Sequence, residues 1–247
     1  MSATFREGSF RDKAVLVSGG TSGIGAAIGD AFAELGADVT VTGATEAEAR
    51  AARERAGTRI QRATSVDVRD GAAVVAFISS LEKLDVLVNC AGIIRRGDEH
   101  DPAVFEEVLD VNLTGTMRLC TAARPLLART RGSIVNTASM LAFLGGSLVP
   151  AYSASKGGVA QLTKSLASAY AAEGIRVNAI APGWIATALT RDLQNDPSRS
   201  QAILSRTPLA RWGEPDDVAG TAVFLCSPAA SFITGTIIPV DGGYLAG

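Results

Sequence analysis

The sequence predicts an α/β fold: a single-domain, doubly wound parallel sheet of seven strands, Rossmann-like, with helices on both faces and spanning residues 1–247. Three observations predict it. Short β-branched runs alternate with longer, alanine-rich amphipathic stretches. The strand candidates are continuous apolar runs rather than in/out alternations, the pattern of strands covered on both faces. The first of them runs straight into glycines that open a helix.

The first strand falls at 14–18 and its helix at 24–35; the second strand at 38–42 and its helix at 46–56. A third strand at 59–64 leads to a helix at 72–81, and a fourth at 84–89 to one long helix over 104–129. The fifth strand, 132–138, precedes a helix at 152–173; the sixth is 176–180, and a helix at 215–226 leads to the seventh at 236–240. The pattern breaks at 181–211, which contains Pro182, Gly183, Pro197 and Pro208. So long a connection in a compact domain reads as a substrate lid within it.

The bulk numbers bound the function. With 47 % hydrophobic and 19 % charged residues the chain can bury a substantial core. A net charge of −2 gives no electrostatic case for nucleic acid or an anionic membrane as partner. Residues 1–12 lack the apolar core of a signal peptide and no run approaches a membrane span, so a cytoplasmic location is expected. Cys90, Cys120 and Cys226 are odd in number and lack metal-ligand spacing, which reads as reduced core thiols. The single histidine, His100, lies between Glu99 and Asp101 in a polar stretch; no histidine triad and no metal site is expected.

The segment VLVSGGTSGIGA over 15–26 places Gly19, Gly23 and Gly25 in a G-x-x-x-G-x-G spacing around Ile24. Glycines permit the tight turn and the close backbone approach, and the helix N-terminus offers free N–H groups to a pyrophosphate. Thr21 and Ser22 add hydroxyl donors. The residue ending the second strand separates NAD, which favours an acid there, from NADP, which favours a nearby cation. Here VTGAT at 41–45 offers neither: Gly43 removes the carboxylate and Ala44 supplies no charge. A phosphate dianion without a basic partner is poorly held, so NAD(H) is favoured over NADP(H) unless Arg50 or Arg53 turns inward. Asp67, followed by Val68, closes the third strand and can accept the adenine amino group. NCAG at 89–92 closes the fourth, with Asn89 placed to tie strand ends together and Ala91 and Gly92 beside the cofactor. All these positions fall at the carboxyl ends of strands, where open α/β sheets bind ligands.

Tyr152 and Lys156 lie four residues apart, one helical turn, on one face. A free phenol has a pKa of about 10, and a neighbouring cation lowers it toward the range useful for proton exchange with an alcohol or ketone. A pair at this spacing on a surface helix is usually a bystander, so the rest of the chain must decide. Ser139 lies thirteen positions earlier, just past a strand end, and Asn112 sits in the first half of the long helix.

Taken in order, the glycine loop, NCAG at 89–92, Asn112, Ser139, Tyr152, Lys156, APG at 181–183 and VDGG at 240–243 resemble the short-chain dehydrogenases/reductases, from Lys13 to the C-terminus. The resemblance implies an enzyme that moves a hydride between a nicotinamide cofactor and a secondary alcohol or ketone. Ser139 would hydrogen-bond the substrate oxygen and Tyr152 would exchange its proton. Lys156 would lower the Tyr152 pKa and hold the nicotinamide ribose, and Asn112 would position a relay water. Pro182, Gly183, Ile185 and Thr187 match positions at the nicotinamide.

AGIIRR at 91–96, ASMLAFLGG at 138–146, VPAY at 149–152, RWG at 211–213 and DGGYLA at 241–246 are similar to the sugar-acid branch of that family, the 2-dehydro-3-deoxy-D-gluconate 5-dehydrogenases, also described as 2-deoxy-D-gluconate 3-dehydrogenases. The likeness implies a deoxy-keto-sugar acid as substrate. Arg95 and Arg96 follow a strand end on the ligand edge, where a guanidinium can take a carboxylate bidentately; facing solvent is the alternative. Met140, Trp184 and Arg211 are further substrate-side candidates. The chain departs from the branch at Cys90, where asparagine is usual, at Trp184, where tyrosine is common, and over 39–48.

Two other readings stay open: a 3-ketoacyl thioester reductase, which shares the catalytic residues, and a non-catalytic dinucleotide-sensing protein. The helix at 152–173 carries Ala154, Gly157, Gly158, Ala160 and Ala167. The family pairs it with the helix at 104–129 between subunits, implying a homotetramer.

Overall fold

The computed structural model describes residues 5–56, 60 and 62–247. Strands β1 (Ala14–Ser18), β2 (Asp38–Gly43), β3 (Arg62–Ser65), β4 (Val86–Asn89), β5 (Ser133–Thr137), β6 (Arg176–Pro182) and β7 (Ile237–Val240) form one parallel sheet in the order β3-β2-β1-β4-β5-β6-β7. Val17 is in register with Val41 on one side and Val88 on the other. The expected third strand began at Arg59, which with Gln61 lies outside the described residues; the strand itself occupies Arg62–Ser65. The other strands stand where expected, with slightly shifted ends.

Alternate residues of each strand feed opposite layers, so both sets must be apolar. Val15, Val17, Val39 and Val41 pack with Ile28 and Phe32 of α1 (Gly23–Glu34) and Val218 and Val223 of α9 (Pro215–Cys226). Leu16, Leu87, Ile134 and Val177 pack on the other face with Val74 of α3 (Gly71–Ser79), Leu119 and Leu127 of α5 (Gly115–Thr130) and Leu166 of α6 (Pro150–Tyr170). Helix starts follow local chemistry. The Asp70 side chain accepts the Ala73 N–H ahead of α3, and Asp101 accepts the Ala103 N–H ahead of α4 (Pro102–Leu109), with proline at the first helical position.

Two elements differ from expectation. The long helix over 104–129 is α4 and α5 joined by a π-helical turn, Asp110–Thr114, with Asn112 at its centre. Such turns are rare and favour functional positions, because they redirect a side chain without ending the helix. The segment 181–211 is not an open loop: after β6 it folds into a 3₁₀ turn, Ala188–Thr190, then α7 (Arg191–Gln194) and α8 (Pro197–Ser205). Asp196 caps α8 by accepting from Ser198 and Arg199. Between β2 and β3 lies α2 (Glu46–Ala56). Among the described residues no helix is long and apolar enough to cross a membrane. The three cysteines are free, and burial pushes Cys90 and Cys226 up to about 11 and Cys120 up to about 12.

Phe32 is fully buried and meets Phe10 edge to face, with ring centroids 4.9 Å apart. Phe32→Ala is expected to cost about 3–5 kcal/mol in urea unfolding, as large-to-small core changes do; a loss under about 1 kcal/mol would show that this layer does not carry the fold.

Candidate active site

The chain passes from one half of the sheet to the other between β3 and β4, so β1 and β4 are neighbours whose connections leave in opposite directions. A crevice forms beyond their carboxyl ends. It holds a cavity of about 530 Å³, lined by the β1–α1 turn, the ends of β2 to β5, α6 and the segment after β6.

The glycines make this crevice possible. Gly19 has φ +69°, and a Cβ on it would come 2.4 Å from the Ala91 nitrogen; one on Gly25 would come 2.2 Å from the Gly19 carbonyl oxygen. Gly23 has φ +55°. Ser22 precedes α1 without capping it through its side chain, so the helix N-terminus is left for an anion. The Ser18 hydroxyl, on the cavity wall, is buried with no partner among the described residues. A glycine cradle, an uncapped helix start and an unpaired hydroxyl fit a nicotinamide dinucleotide. Thr21, Ile24, Ala44, Asp67, Val68, Ala91 and Gly92 line the same cavity.

At the end of β2 a residue not foreseen takes up the missing charge. Glu48 lines the cavity, and its Oε2 accepts the Ala44 N–H at 2.7 Å and the Thr45 N–H at 3.3 Å. A Cβ on Gly43 would come 2.7 Å from that oxygen. Thr45 Oγ1 accepts the Glu48 N–H in return, a capping box that the spacing Thr45-x-x-Glu48 makes readable in sequence. Neither arginine weighed for NADP turns in. Arg53 donates to Ala63 O at 2.6 Å and pairs with Glu46, and neither it nor Arg50 lines the cavity. Arg69 does line it, but Asp67 grips it at 2.7 Å and is held below the usual carboxylate range by that hydrogen bond.

The four catalytic candidates come together around the amino end of α6. The Ser139 hydroxyl bonds the Tyr152 phenol and accepts the Leu141 N–H at 3.1 Å. Lys156 Nζ lies 5.4 Å from the centre of the Tyr152 ring and donates to Thr137 O at 2.7 Å. The expected depression of the Tyr152 pKa is not found. Burial pushes the phenol up to about 12; the Ser139 bond lowers it, the Glu99 carboxylate raises it, and Lys156 is not among the causes. Burial pushes Lys156 down to about 8. Asn112 is fully buried: it accepts the Ile93 N–H at 2.8 Å and donates to Ile93 O and Ser155 Oγ, each at 3.0 Å. Ser155 in turn donates to Tyr152 O at 2.7 Å. Both amide N–H groups are thus spent inside the protein.

Other expected residues stand apart from the cavity. Asn89 donates to Asn136 Oδ1 at 2.9 Å, tying β4 to β5 as its placement suggested, but it is buried behind the wall. Pro182 ends β6, Gly183 packs on Asp241, Ile185 joins the core, and only Thr187 of that group reaches the cavity, with Ala188 and Leu189 beside it. Arg95 lines the cavity and reaches Glu107 at 3.3 Å. Arg96 is exposed, and its guanidinium has no hydrogen bond or ion pair among the described residues; desolvation and Arg199 lower its pKa. Met140 is buried next to Ser139. Trp184 and Arg211 line a second cavity of about 500 Å³. There Trp184 meets Trp212 and Tyr244 edge-on, and Arg211 is clasped by Asp217 at 2.6 and 2.9 Å. That ion pair engages the Arg211 guanidinium at the rim of the second cavity. Glu99 was not foreseen either: its sequence context is polar, yet it is 1 % exposed and accepts the Tyr152 N–H at 2.7 Å.

A doubly wound parallel sheet, a dinucleotide cradle at its switch point, Tyr152 and Lys156 on the cavity wall and Ser139 against the phenol define a nicotinamide-dependent oxidoreductase. The chain belongs to the short-chain dehydrogenase/reductase family, and the family model described as "Enoyl-(Acyl carrier protein) reductase" matches residues 19–245. It is 44 % identical to a 2-dehydro-3-deoxy-D-gluconate 5-dehydrogenase of Bacillus subtilis (strain 168), with 96 % of each chain covered. It is 40 % identical to a galactitol 2-dehydrogenase (L-tagatose-forming) of Cereibacter sphaeroides, covering 92 % of this chain and 93 % of that one. A gluconate 5-dehydrogenase of Burkholderia cenocepacia J2315, solved in complex with NADP and tartrate, superposes with a TM-score of 0.90 at 32 % identity, covering 96 % of this chain and 97 % of that one.

The buried lysine sets a pH dependence. Its pKa falls from 10.5 unfolded to about 8 folded, so between these values the unfolded chain binds more protons and stability rises with pH. Urea midpoints followed from pH 8 to 10.5 are expected to rise less steeply in Lys156→Met than in wild type; equal slopes would contradict a depressed lysine.

Proposed function

We propose that the protein interconverts a secondary alcohol and a ketone on a deoxy-keto-sugar acid, using NAD(H) in preference to NADP(H). The observation that carries the reaction is Tyr152: its phenol meets the Ser139 hydroxyl, and its ring lies beneath the Lys156 ammonium at the cavity wall. The nicotinamide, when bound, supplies or accepts the hydride. Ser139 orients the substrate oxygen, Tyr152 takes or returns its proton, and Lys156 holds the nicotinamide ribose and the proton balance. Asn112 braces Ile93 and, through Ser155, the first turn of α6.

The sugar-acid reading is supported by relatives of that name and by Arg95 and Arg96 after β4, the second without an acid partner among the described residues. Arg211, paired with Asp217, lines the second cavity instead of this one. The segment 181–211 serves as a lid, through Thr187 and the helices after it. A homotetramer paired through α5 and α6 fits the open face at Gly157, where an added Cβ would meet nothing within 4 Å. Gly158 is instead spent on Leu113 of the same chain, 2.8 Å from such an atom. A cytoplasmic location fits the three free thiols.

Turnover is expected with deoxy-keto-gluconates; activity only with an acetoacetyl thioester would replace this reading by the thioester reductase. Tyr152→Phe is expected to lower kcat by at least about a hundredfold while NADH binding, titrated by fluorescence, stays within about twofold. A wild type inert toward a broad panel of alcohols and ketones would favour a dinucleotide sensor.

NAD(H) preference is supported by Glu48, whose carboxylate at the end of β2 would face a 2′-phosphate. Glu48→Gln is expected to improve NADPH affinity relative to NADH by about tenfold, the worth of removing one like charge at close range. An unchanged ratio would contradict this role.

A further inference from the structure

The connection after β4 turns at Gly97, φ +91°, into the single helical turn Asp98–His100. Four ionisable residues, Asp98, Glu99, His100 and Asp101, follow one another there, and the last three have different tasks. Asp101 caps α4, and His100 Nε2 lies 2.9 Å from Ser147 O. Glu99 points inward and is 1 % exposed.

Its environment is unlike that of the other buried acid, Asp85, which pairs with Lys13 at 2.9 Å and Lys83 at 3.1 Å. Glu99 has no cation at ion-pair distance among the described residues. Its oxygens take backbone donors instead: Oε1 accepts the Arg95 N–H at 2.8 Å and Oε2 the Tyr152 N–H at 2.7 Å. Burying a carboxylate without a counter-ion is costly unless hydrogen bonds and dipoles replace the lost water. Here the first turn of α6 supplies both. Val149, at the cap position, has no side chain able to cap, so Glu99 caps α6 from another segment, at the positive end of its dipole. A serine at 149 would satisfy the helix at lower cost. What a local cap would not do is join the two walls of the cavity.

We propose that Glu99 is a positioning residue for the proton-transfer step: by gripping the Arg95 and Tyr152 N–H groups in one carboxylate, it sets the spacing between the substrate-side loop and the first turn of α6, which carries the phenol. This rests on the reading of Tyr152 as the proton-transfer group. The same loop is fastened on either side of Glu99, by Gly97 N–H to Leu148 O at 2.8 Å and by His100 to Ser147. The clamp therefore acts between two otherwise registered segments. The charge has a direction of effect: the carboxylate raises the proton affinity of Tyr152.

The charged and titratable groups around this pair are few. Lys156, on the same helix, lies over the Tyr152 ring, and Cys90 faces Lys156 from the end of β4. Arg96 faces Glu99 from the loop, and Arg199 of α8 faces Arg96. Glu107 of α4 is paired with Arg95.

The test compares Glu99→Gln and Glu99→Asp with wild type in the intact protein, using whichever alcohol of the panel the wild type oxidises. Glutamine keeps the size, removes the charge and turns one acceptor toward an N–H as a donor. It is expected to lower kcat about tenfold or more, leave NADH binding within about twofold, and move the limb of the kcat–pH profile that reports the deprotonated phenol to lower pH by at least about half a unit. Aspartate, which keeps the charge on a shorter arm, is expected to restore the limb while kcat stays depressed; it also stands in if the glutamine variant does not fold. A limb that does not move in Glu99→Gln, or that moves equally in both variants, would overturn the proposal, as would an undiminished kcat. Turnover by the wild type on no member of the panel would overturn the functional reading and this proposal with it.

Discussion

The Cys90–Ala91 peptide at the end of β4 lies so close to Gly19 that no side chain fits between them, and the rest of the site depends on that contact. Gly19 opens the turn that leads into α1, and Gly25, in the first turn of the helix, rests on the Gly19 carbonyl just as closely. Three backbone segments from two strands and one helix therefore meet without intervening atoms. The contact fixes the floor of the crevice and aims the α1 N-terminus into it. A parallel sheet covered on both faces has no other place for polar groups than its strand ends. The close approach turns that edge into a binding surface.

Behind this floor, buried polar side chains carry position from one element to the next. Asn89 donates to Asn136, and Asn136 to Thr163 of α6, so β4, β5 and the catalytic helix share one chain of bonds. Asn112 joins the β4 loop to Ser155, which holds the Tyr152 carbonyl. Such networks are stabilising only when nearly every member is satisfied, and they then permit little slack. The π turn at Asp110–Thr114 belongs to this economy: without the wider turn, the helix would not bring the Asn112 amide to Ile93 while keeping Leu119 and Leu127 on the sheet.

The sheet was legible in sequence because its signal is local: most strands are short β-branched or apolar runs, and Ser18, Gly43 and Asn89 at the ends of β1, β2 and β4 also mark the site. The cofactor cradle and the set Asn112, Ser139, Tyr152 and Lys156 were legible for the same reason, as types at fixed spacing. What sequence did not reveal is pairing at a distance. Nothing local says that Glu99 turns inward toward a helix fifty-three positions away, or that Arg211 is taken by Asp217. The π turn escaped because its residues have ordinary helical preferences and only tertiary bonds select it. Glu48 is hidden from a reading of the strand end, because its carboxylate arrives from the first turn of α2.

The Tyr152–Lys156 pair shows how burial alters an argument made from spacing alone. Helical spacing brings the ammonium to the ring face, but it also brings both groups out of water, and desolvation opposes each charge. The phenol rises to about 12 and the ammonium falls to about 8, so both move toward neutrality. A low-dielectric site that resists charge also strengthens each remaining interaction, since attraction between charges grows as water is excluded. Small displacements then matter more than composition. The bond from Lys156 to Thr137 O and the Ser139 hydroxyl on the phenol set how far each group can move as a proton passes. Spacing in the sequence selects the reacting groups; the carbonyl, hydroxyl and carboxylate packed around them decide how readily the phenol yields its proton.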